Sequence, residues 1–338
     1  MLFRSYIFDF KPSSCERIDY NWKGMRFNME KPILEVNNLS VSFNMKPDDI
    51  RLTDNLAVND LSLKAYKGEI LTIVGSSGSG KSILAHAILK LLPVNASVRG
   101  EIYYDGKLLD DKLLSKLRGN EISFIPQSVS YLDPLMKVGR QVRSCSNNSE
   151  IKKKQRAIFK SYDLCERSEK LYPFQLSGGM ARRVLISASA IGNPQLIIAD
   201  EPTPGLDMKT AEKTMKYFRS FADEGRTVIL ITHDVELAIN YSDKLAIFYG
   251  GQILELTKAE YFKKGIDYLR HPYTRALYES LPSNGFKALK GFQSASYKGN
   301  NGCVFKDRCR YMQDLCDSEV RMKIFDDEMV KCNYDFRS

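Results

Sequence analysis

Gly75-Ser76-Ser77-Gly78-Ser79-Gly80-Lys81-Ser82 decides how this chain is read. It fits G-x-x-x-x-G-K-[ST], the phosphate-binding P-loop. The preceding Ile70-Leu71-Thr72-Ile73-Val74 is apolar and β-branched and reads as a buried strand. The following Ile83-Leu84-Ala85-His86-Ala87-Ile88-Leu89 has the composition of a helix start. Strand, glycine loop and helix are the context the motif requires. Gly75, Gly78 and Gly80 let the backbone wrap a phosphate where side chains would collide. The loop N–H groups, those of Ser76 and Ser79 among them, and the helix N-terminus supply partial positive charge. Lys81 would reach the β- and γ-phosphates, and the Ser82 hydroxyl would ligate Mg²⁺.

Around this loop, 338 residues accommodate one large domain or two ordinary ones. A hydrophobic content of 43% with 27% charged residues is that of a soluble globular protein. No apolar run reaches the roughly 18 residues of a membrane span. The N-terminal eleven residues are too short and too interrupted for a signal peptide, so a cytosolic protein is expected. A net charge of +9 suits nucleic acid or anionic headgroups, but Lys and Arg are spread along the chain. The longest basic run, Lys152-Lys153-Lys154, reads better as a solvated helix face. Seven cysteines in a cytosolic chain point to metal or free thiols rather than disulfides. Cys15, Cys145 and Cys165 have no partners at metal spacing and read as ordinary small side chains.

Residues 1–31 are expected to be an accessory or disordered extension, with Met25 and Met29 as alternative internal starts. Residues 32–262 read as a single nucleotide-binding domain without internal repeats. Strands are expected at 33–36, 39–43, 61–65, 100–106 and 121–125, with a polar loop over 44–55 and a helical region from about 131 to 190. The continuous apolar runs at 196–199 and 227–231 suit parallel strands covered on both faces. A helix over 208–224 between them completes a βαβ unit. Strands at 244–248 and 252–255 close the domain, and residues 263–338 form an irregular, cysteine-bearing extension.

Four further stretches narrow the chemistry. Leu196-Ile197-Ile198-Ala199-Asp200-Glu201 is a Walker B strand ending in two carboxylates. Asp200 is suited to holding Mg²⁺, and Glu201 to orienting and deprotonating an attacking water. Leu176-Ser177-Gly178-Gly179-Met180 opens a helix, with Ser177 as N-cap and the glycines exposing backbone N–H groups. His233, within Ile231-Thr232-His233-Asp234, ends one strand, and Gln127 follows another.

In this order the motifs resemble those of the ATP-binding subunits of ABC transporters, over about residues 32–338. The Leu-Ser-Gly-Gly signature is the most discriminating. The resemblance implies an α/β fold: a P-loop ABC ATPase cassette with a mixed sheet core, an antiparallel β layer and a helical subdomain, followed by the small extension. It implies a head-to-tail dimer with two composite ATP sites. Lys81, Ser82, Gln127, Asp200, Glu201 and His233 would face one nucleotide, with Glu201, His233 and Gln127 catalytic and Ser82, Gln127 and Asp200 at Mg²⁺. Ser177, Gly178 and Gly179 would bind the nucleotide held by the partner, and Asp207 would lie at the dimer seam. Phe43 matches an adenine-stacking aromatic, the alternative being an ordinary core side chain.

His271-Pro272-Tyr273-Thr274-Arg275-Ala276-Leu277 resembles a stretch that follows the cassette in oligopeptide, dipeptide and nickel importers, as do Tyr172-Pro173 and Met180. Pro204-Gly205 and Ala181-Arg182-Arg183 depart from that pattern, and the 127–177 span is shorter than usual, implying a trimmed helical subdomain. The resemblance implies an ATPase subunit driving uptake of oligopeptides or dipeptides, with nickel or metal-chelate import as the alternative. A non-transport ABC ATPase acting on nucleic acid or ribosomes would favour tandem cassettes or a long coiled-coil insertion, and neither is present. An inactive regulatory partner is opposed by the intact Lys81, Asp200, Glu201 and His233. The implied partners are a second, related ABC ATPase in a heterodimer, two membrane permeases met through a groove near Gln127 and residues 128–145, and, indirectly, a solute-binding protein; no nucleic acid is expected. The chain would sit peripherally on the cytoplasmic face of the membrane.

Cys303, Cys309, Cys316 and Cys332 fall in the last 36 residues with five, six and fifteen residues between them. Four thiolates so spaced could hold Zn²⁺ or an iron–sulfur cluster, or stay unligated. The resemblance implies a [4Fe–4S] cluster. Cys309 and Cys316, seven apart, would share a face if helical. With no phosphate motif in the tail, its site is expected to stand apart from the nucleotide.

Overall fold

Two sheets divide the strands that the apolar runs predict. The computed structural model describes residues 31–43, 55–289, 291, 302–326, 328–334 and 336, within one unit that begins at Lys31. The readings of residues 1–30, of the 44–54 loop and of Cys15 lie outside the described residues.

The chain runs through β1 (Leu34–Phe43), β2 (Asn55–Ala65), β3 (Ile70–Val74), α1 (Lys81–Ile88), β4 (Ala96–Tyr104), β5 (Lys107–Leu108), α2 (Asp111–Leu117) and β6 (Ile122–Ile125). The helical region follows as α3 (Val138–Val142), α4 (Ser149–Ser161) and α5 (Gly178–Ala190), linked by short 3₁₀ turns. Then come β7 (Leu196–Asp200), α6 (Met208–Asp223), β8 (Thr227–Thr232), α7 (Val235–Tyr241), β9 (Lys244–Tyr249) and β10 (Gln252–Lys258). The extension adds α8 (Ala259–Lys264), α9 (Pro272–Ser280), β11 (Lys323–Phe325) and β12 (Glu328–Val330).

Among the described residues, β2-β1-β4-β5 form an antiparallel layer and β11-β12-β10-β9-β3-β8-β7-β6 form a mixed sheet. In β3, β7 and β8 every residue is buried, which is why these strands read as unbroken apolar runs. β1 alternates between buried and partly exposed positions. The two strands expected at 33–36 and 39–43 are one. Asn38 takes a φ of 50°, and the pairing register shifts around it, so a β-bulge carries the strand through.

β3, β8 and β7 are parallel neighbours, with Val74 opposite Thr232 and Asp200 opposite Ile231. Their carboxyl ends therefore share one edge, where open α/β sheets bind ligands. One apolar cluster lies between the antiparallel layer and the mixed sheet, around Leu84, Ile73 and Phe248. A second lies beneath α5 and α6. A third joins β9 and β10 to α7, α8, α9 and Phe305. Each fully buried large apolar side chain contributes about 1.5–3 kcal/mol relative to exposure.

The extension is more regular than its sequence suggests. Pro272 occupies the first turn of α9, and the Tyr273 N–H donates to the His271 Nδ1 cap at 3.0 Å. β12 pairs with β10 through Glu255–Val330 and Leu256–Met329, so the tail widens the mixed sheet. Three-residue strands are too short for alternation to reveal them. No described helix is long and apolar enough to cross a membrane.

Candidate functional site

The P-loop leaves β3 pressed against β9. A Cβ on Gly75 would stand 2.2 Å from the Phe248 carbonyl oxygen, so only glycine fits. Gly80, at a φ of 105°, precedes α1 and has no side chain to cap it, leaving the first N–H groups of that helix aimed into the loop. Lys81 is 5% exposed, and its Nζ donates to the carbonyls of Gly75 and Ser76 at 2.8 Å each. Burial pulls its ammonium below the ordinary range, against the attraction of Glu201 and Asp200.

Asp200 ends β7 and is 2% exposed. Burial raises its carboxyl above the ordinary range, while a hydrogen bond from Ser82 acts in the opposite direction. Its Oδ1 and the Ser79 Oγ are buried without a hydrogen-bond partner. A buried carboxylate oxygen with no donor, beside a serine hydroxyl, fits a hard cation with oxygen ligands. Glu201 adopts a left-handed φ of 47°, rare for a side chain of this kind, with its N–H donating to Ile231 O at 2.9 Å. This turn aims the carboxylate at His233, whose Nδ1 lies 2.9 Å from Oε1 and 2.8 Å from Oε2. Residues 75–82, Asp200, Glu201 and His233 thus converge from three neighbouring strand ends.

A second group forms around the signature. Ser177 caps α5, accepting from the Met180 N–H at 3.3 Å. A Cβ on Gly178 would meet nothing within 4 Å, and one on Gly179 would meet Leu206 at 3.7 Å. Asp207, next to Leu206, caps α6 and accepts from the Thr210 hydroxyl at 2.6 Å, which lowers its carboxyl's range. The thirteen-residue α5 therefore opens onto solvent with bare N–H groups, beside the loop that carries Asp207. Phe43, at the end of β1, packs partly buried against the first core cluster. Gln127 follows β6 and is exposed.

Two contacts escaped the sequence reading. Arg182, 6% exposed on α5, donates to the Pro126 carbonyl at 2.8 Å, tying the signature helix to the residue before Gln127. Its guanidinium also feels the charges of Asp200 and Glu201. Tyr273 of α9 is hydrogen-bonded to Ser76 through that residue's hydroxyl and backbone N–H. The extension therefore reaches the P-loop through α9, a contact that does not involve the cysteines. Neither contact has a local signal in the sequence, the first spanning 56 residues.

Cys303 and Cys309 are half-buried, Cys316 and Cys332 are buried, and all are unpaired. The Cys303 N–H donates to the Cys316 carbonyl at 2.8 Å, and the Cys332 sulfur feels those of Cys303, Cys309 and Cys316. Burial pushes the Cys303 thiol up to about 11 and the Cys332 thiol up to about 12. The helix-face argument for Cys309 and Cys316 is corrected: Cys309 follows the 3₁₀ turn Lys306–Arg308 in extended backbone, and Cys316 lies in a separate 3₁₀ turn, Asp314–Asp317. Among the described residues, no group of three or more His, Cys, Asp or Glu side chains is arranged to hold a metal ion.

A groove of about 490 Å³ lies over the helical region, lined by Leu135, Met136, Lys137, Arg140, Lys170 and Tyr172 among others.

Comparison with known proteins matches residues 58–204 to the ABC transporter family and residues 259–316 to the oligopeptide/dipeptide transporter C-terminal region. The oligopeptide transport ATP-binding protein OppD of Bacillus subtilis is 36% identical over 74% of this chain and 72% of its own. OppD of Salmonella typhimurium is 32% identical over 87% of this chain and 90% of its own. The dipeptide transport ATP-binding protein DppD of Escherichia coli is 32% identical over 89% and 96%. Among solved structures, the dimeric bacterial ABC transporter cassette MJ0796 superposes with a TM-score of 0.60 at 30% identity, covering 67% of this chain and 98% of that one.

Proposed function

This chain belongs to the ABC transporter ATP-binding proteins, and from that premise we propose that it is the ATP-hydrolysing subunit of an oligopeptide or dipeptide importer. The observation that carries the peptide reading is the presence of both matched segments, cassette and oligopeptide-type C-terminal region, in one chain.

In this reading ATP occupies the loop of residues 75–82, with Phe43 against the adenine. The N–H groups of Gly78, Ser79 and Gly80 and the α1 N-terminus face the phosphates, and Lys81 supplies a buried cation. Mg²⁺, held by Ser82, Asp200 and Gln127, would neutralise charge on the phosphate oxygens. Glu201 takes the proton of the attacking water, and His233 fixes that carboxylate's orientation by their short contact. Ser177, Gly178 and Gly179 complete the site of a second ATPase subunit, with Asp207 at the seam; the exposure of the α5 N-terminus supports this. The second subunit is a related ABC ATPase, and the pair sits on the cytoplasmic face of two permeases. The groove near residues 133–143 supports a docking role toward those permeases, and Arg182 would link it to Gln127.

The four C-terminal cysteines are the proposed ligands of a [4Fe–4S] cluster; their side chains would have to draw together around it, since no described group is arranged to hold a metal ion. Four thiols within electrostatic reach of one another, on a small tail, support that donor set. Such a cluster would staple a segment with few apolar residues of its own. Anaerobic preparations should contain iron and sulfide in that stoichiometry; stoichiometric zinc without iron would refute it.

The transport reading is tested by reconstituting the chain with its permeases, a related ATPase and the binding protein in vesicles. ATP-dependent uptake of a labelled tripeptide is expected. Uptake of a nickel chelate with none of peptide would refute the peptide assignment.

A further inference from the structure

The peptide-importer stretch at 271–277 has no role in the reading above, yet one of its residues touches the P-loop. Tyr273 is 2% exposed. Its backbone is fixed from below: its N–H donates to His271 Nδ1 at 3.0 Å, and the His271 N–H donates to the buried Glu255 Oε2 at 2.7 Å. Its ring packs against Tyr249 at 4.7 Å and Phe305 at 5.2 Å, centroid to centroid. Tyr249 ends β9, the strand whose Phe248 carbonyl backs Gly75. Phe305 lies two residues beyond Cys303. From this wedge the phenolic oxygen meets the hydroxyl and backbone N–H of Ser76. The Ser76 carbonyl in turn accepts from Lys81 at 2.8 Å.

We propose that Tyr273 is a positioning residue of the nucleotide site: its hydroxyl holds Ser76, and through it Lys81, so that the C-terminal extension sets the affinity for ATP. The proposal rests on the reading that ATP binds residues 75–82. The geometry favours it over mere packing. The aromatic wedge would be satisfied by phenylalanine, and only the hydroxyl reaches the loop. Burial keeps that hydroxyl protonated, its range pushed up to about 12. Without it, the half-buried Ser76 loses a partner, and the loop must be ordered again when the nucleotide arrives. A net hydrogen bond of this kind corresponds to a change of about three- to tenfold in affinity.

The test uses Tyr273→Phe in the full-length chain, with Tyr278→Phe as control. Tyr278 lies on the same helix but packs against Phe262. ATP affinity is measured by calorimetry, steady-state kinetics give KM and kcat separately, and thermal unfolding is followed without nucleotide. The expected result is ATP binding and KM weakened about three- to tenfold in Tyr273→Phe, with kcat and the nucleotide-free melting temperature near parental and Tyr278→Phe unchanged. Parental ATP affinity in Tyr273→Phe, with or without a lowered melting temperature, overturns the proposal and leaves ATP binding standing. A parent chain that binds no ATP overturns the nucleotide reading first, and this one with it.

Discussion

Gly75→Ala probes how closely the P-loop is fitted to the sheet. The added Cβ would stand 2.2 Å from the Phe248 oxygen and 3.1 Å from its carbonyl carbon, where ordinary contact begins at 3.4 Å. The shortfall at the oxygen is 1.2 Å (3.4 minus 2.2), and both sides are backbone, so no side chain can swing away. Either the loop or β9 must move. β9 is held by β3 and β10, so the loop is the softer side. Overpacking of this kind costs about 1–3 kcal/mol, a few degrees of melting temperature per kcal/mol in a chain of this size. The larger effect is positional. Gly75 O is one of the two carbonyls that hold Lys81, and a displacement of about 1 Å in a positioned group costs about 10²-fold in rate. Steady-state ATPase assays should therefore give a kcat/KM about 100-fold below parental, with a modestly lowered melting temperature. Gly225→Ala is the control. It carries the strain of a positive φ of 84° with nothing within 4 Å of its Cβ, far from the loop in sequence. It should lose stability without losing turnover. Parental kcat/KM in Gly75→Ala, or an equal loss in Gly225→Ala, would refute the reasoning.

Three further perturbations follow from the same geometry. Lys81→Ala removes the buried ammonium proposed to meet the phosphates and should weaken ATP binding about ten- to a hundredfold by calorimetry; equal affinity would contradict that role. Arg182→Met strips the Pro126 carbonyl of its buried donor, at a cost of about 1–3 kcal/mol, and should lower both the melting temperature and the ATPase rate, whereas Arg183→Met should leave the Pro126 contact intact. Glu255 is fully buried, and burial pushes its carboxyl up to about 7 against the hydrogen bonds donated by the N–H groups of Arg270 and His271. Because this folded value lies above the ordinary 4.5, its stabilising contribution is complete below that pH and is lost as pH rises through about 7. The infrared band of a protonated carboxyl should persist at about pH 6 and vanish in Glu255→Gln; no such band in the parent would refute the shift.

What the sequence disclosed follows the range of the forces involved. The P-loop was legible because its requirements are local: glycine where β9 crowds the backbone at Gly75, and a helix whose first N–H groups need an anion. Ser177 could be identified as a cap for the same reason, since its bond to Met180 spans three residues. The unbroken burial of β3, β7 and β8 announced parallel strands, but apolar runs do not say which strands are neighbours. The left-handed turn at Glu201, which brings its carboxylate to His233, has no signal in a Walker B strand. Arg182 and Pro126 are 56 residues apart, and their bond depends on how α5 packs beneath β6. The tail misled most. Three-residue strands and a proline-started helix hid its order, and a seven-residue spacing suggested a helix where two 3₁₀ turns stand.

The central claim is that Glu201, held by His233 at the end of β7, activates the water that attacks ATP. Its most direct test is to measure ATP binding and steady-state turnover together in Glu201→Gln. The predicted result is ATP affinity near parental, turnover reduced by about 10²–10⁴-fold, the range for loss of a general base, and a dimer trapped with ATP bound. Turnover at the parental rate in Glu201→Gln would contradict it.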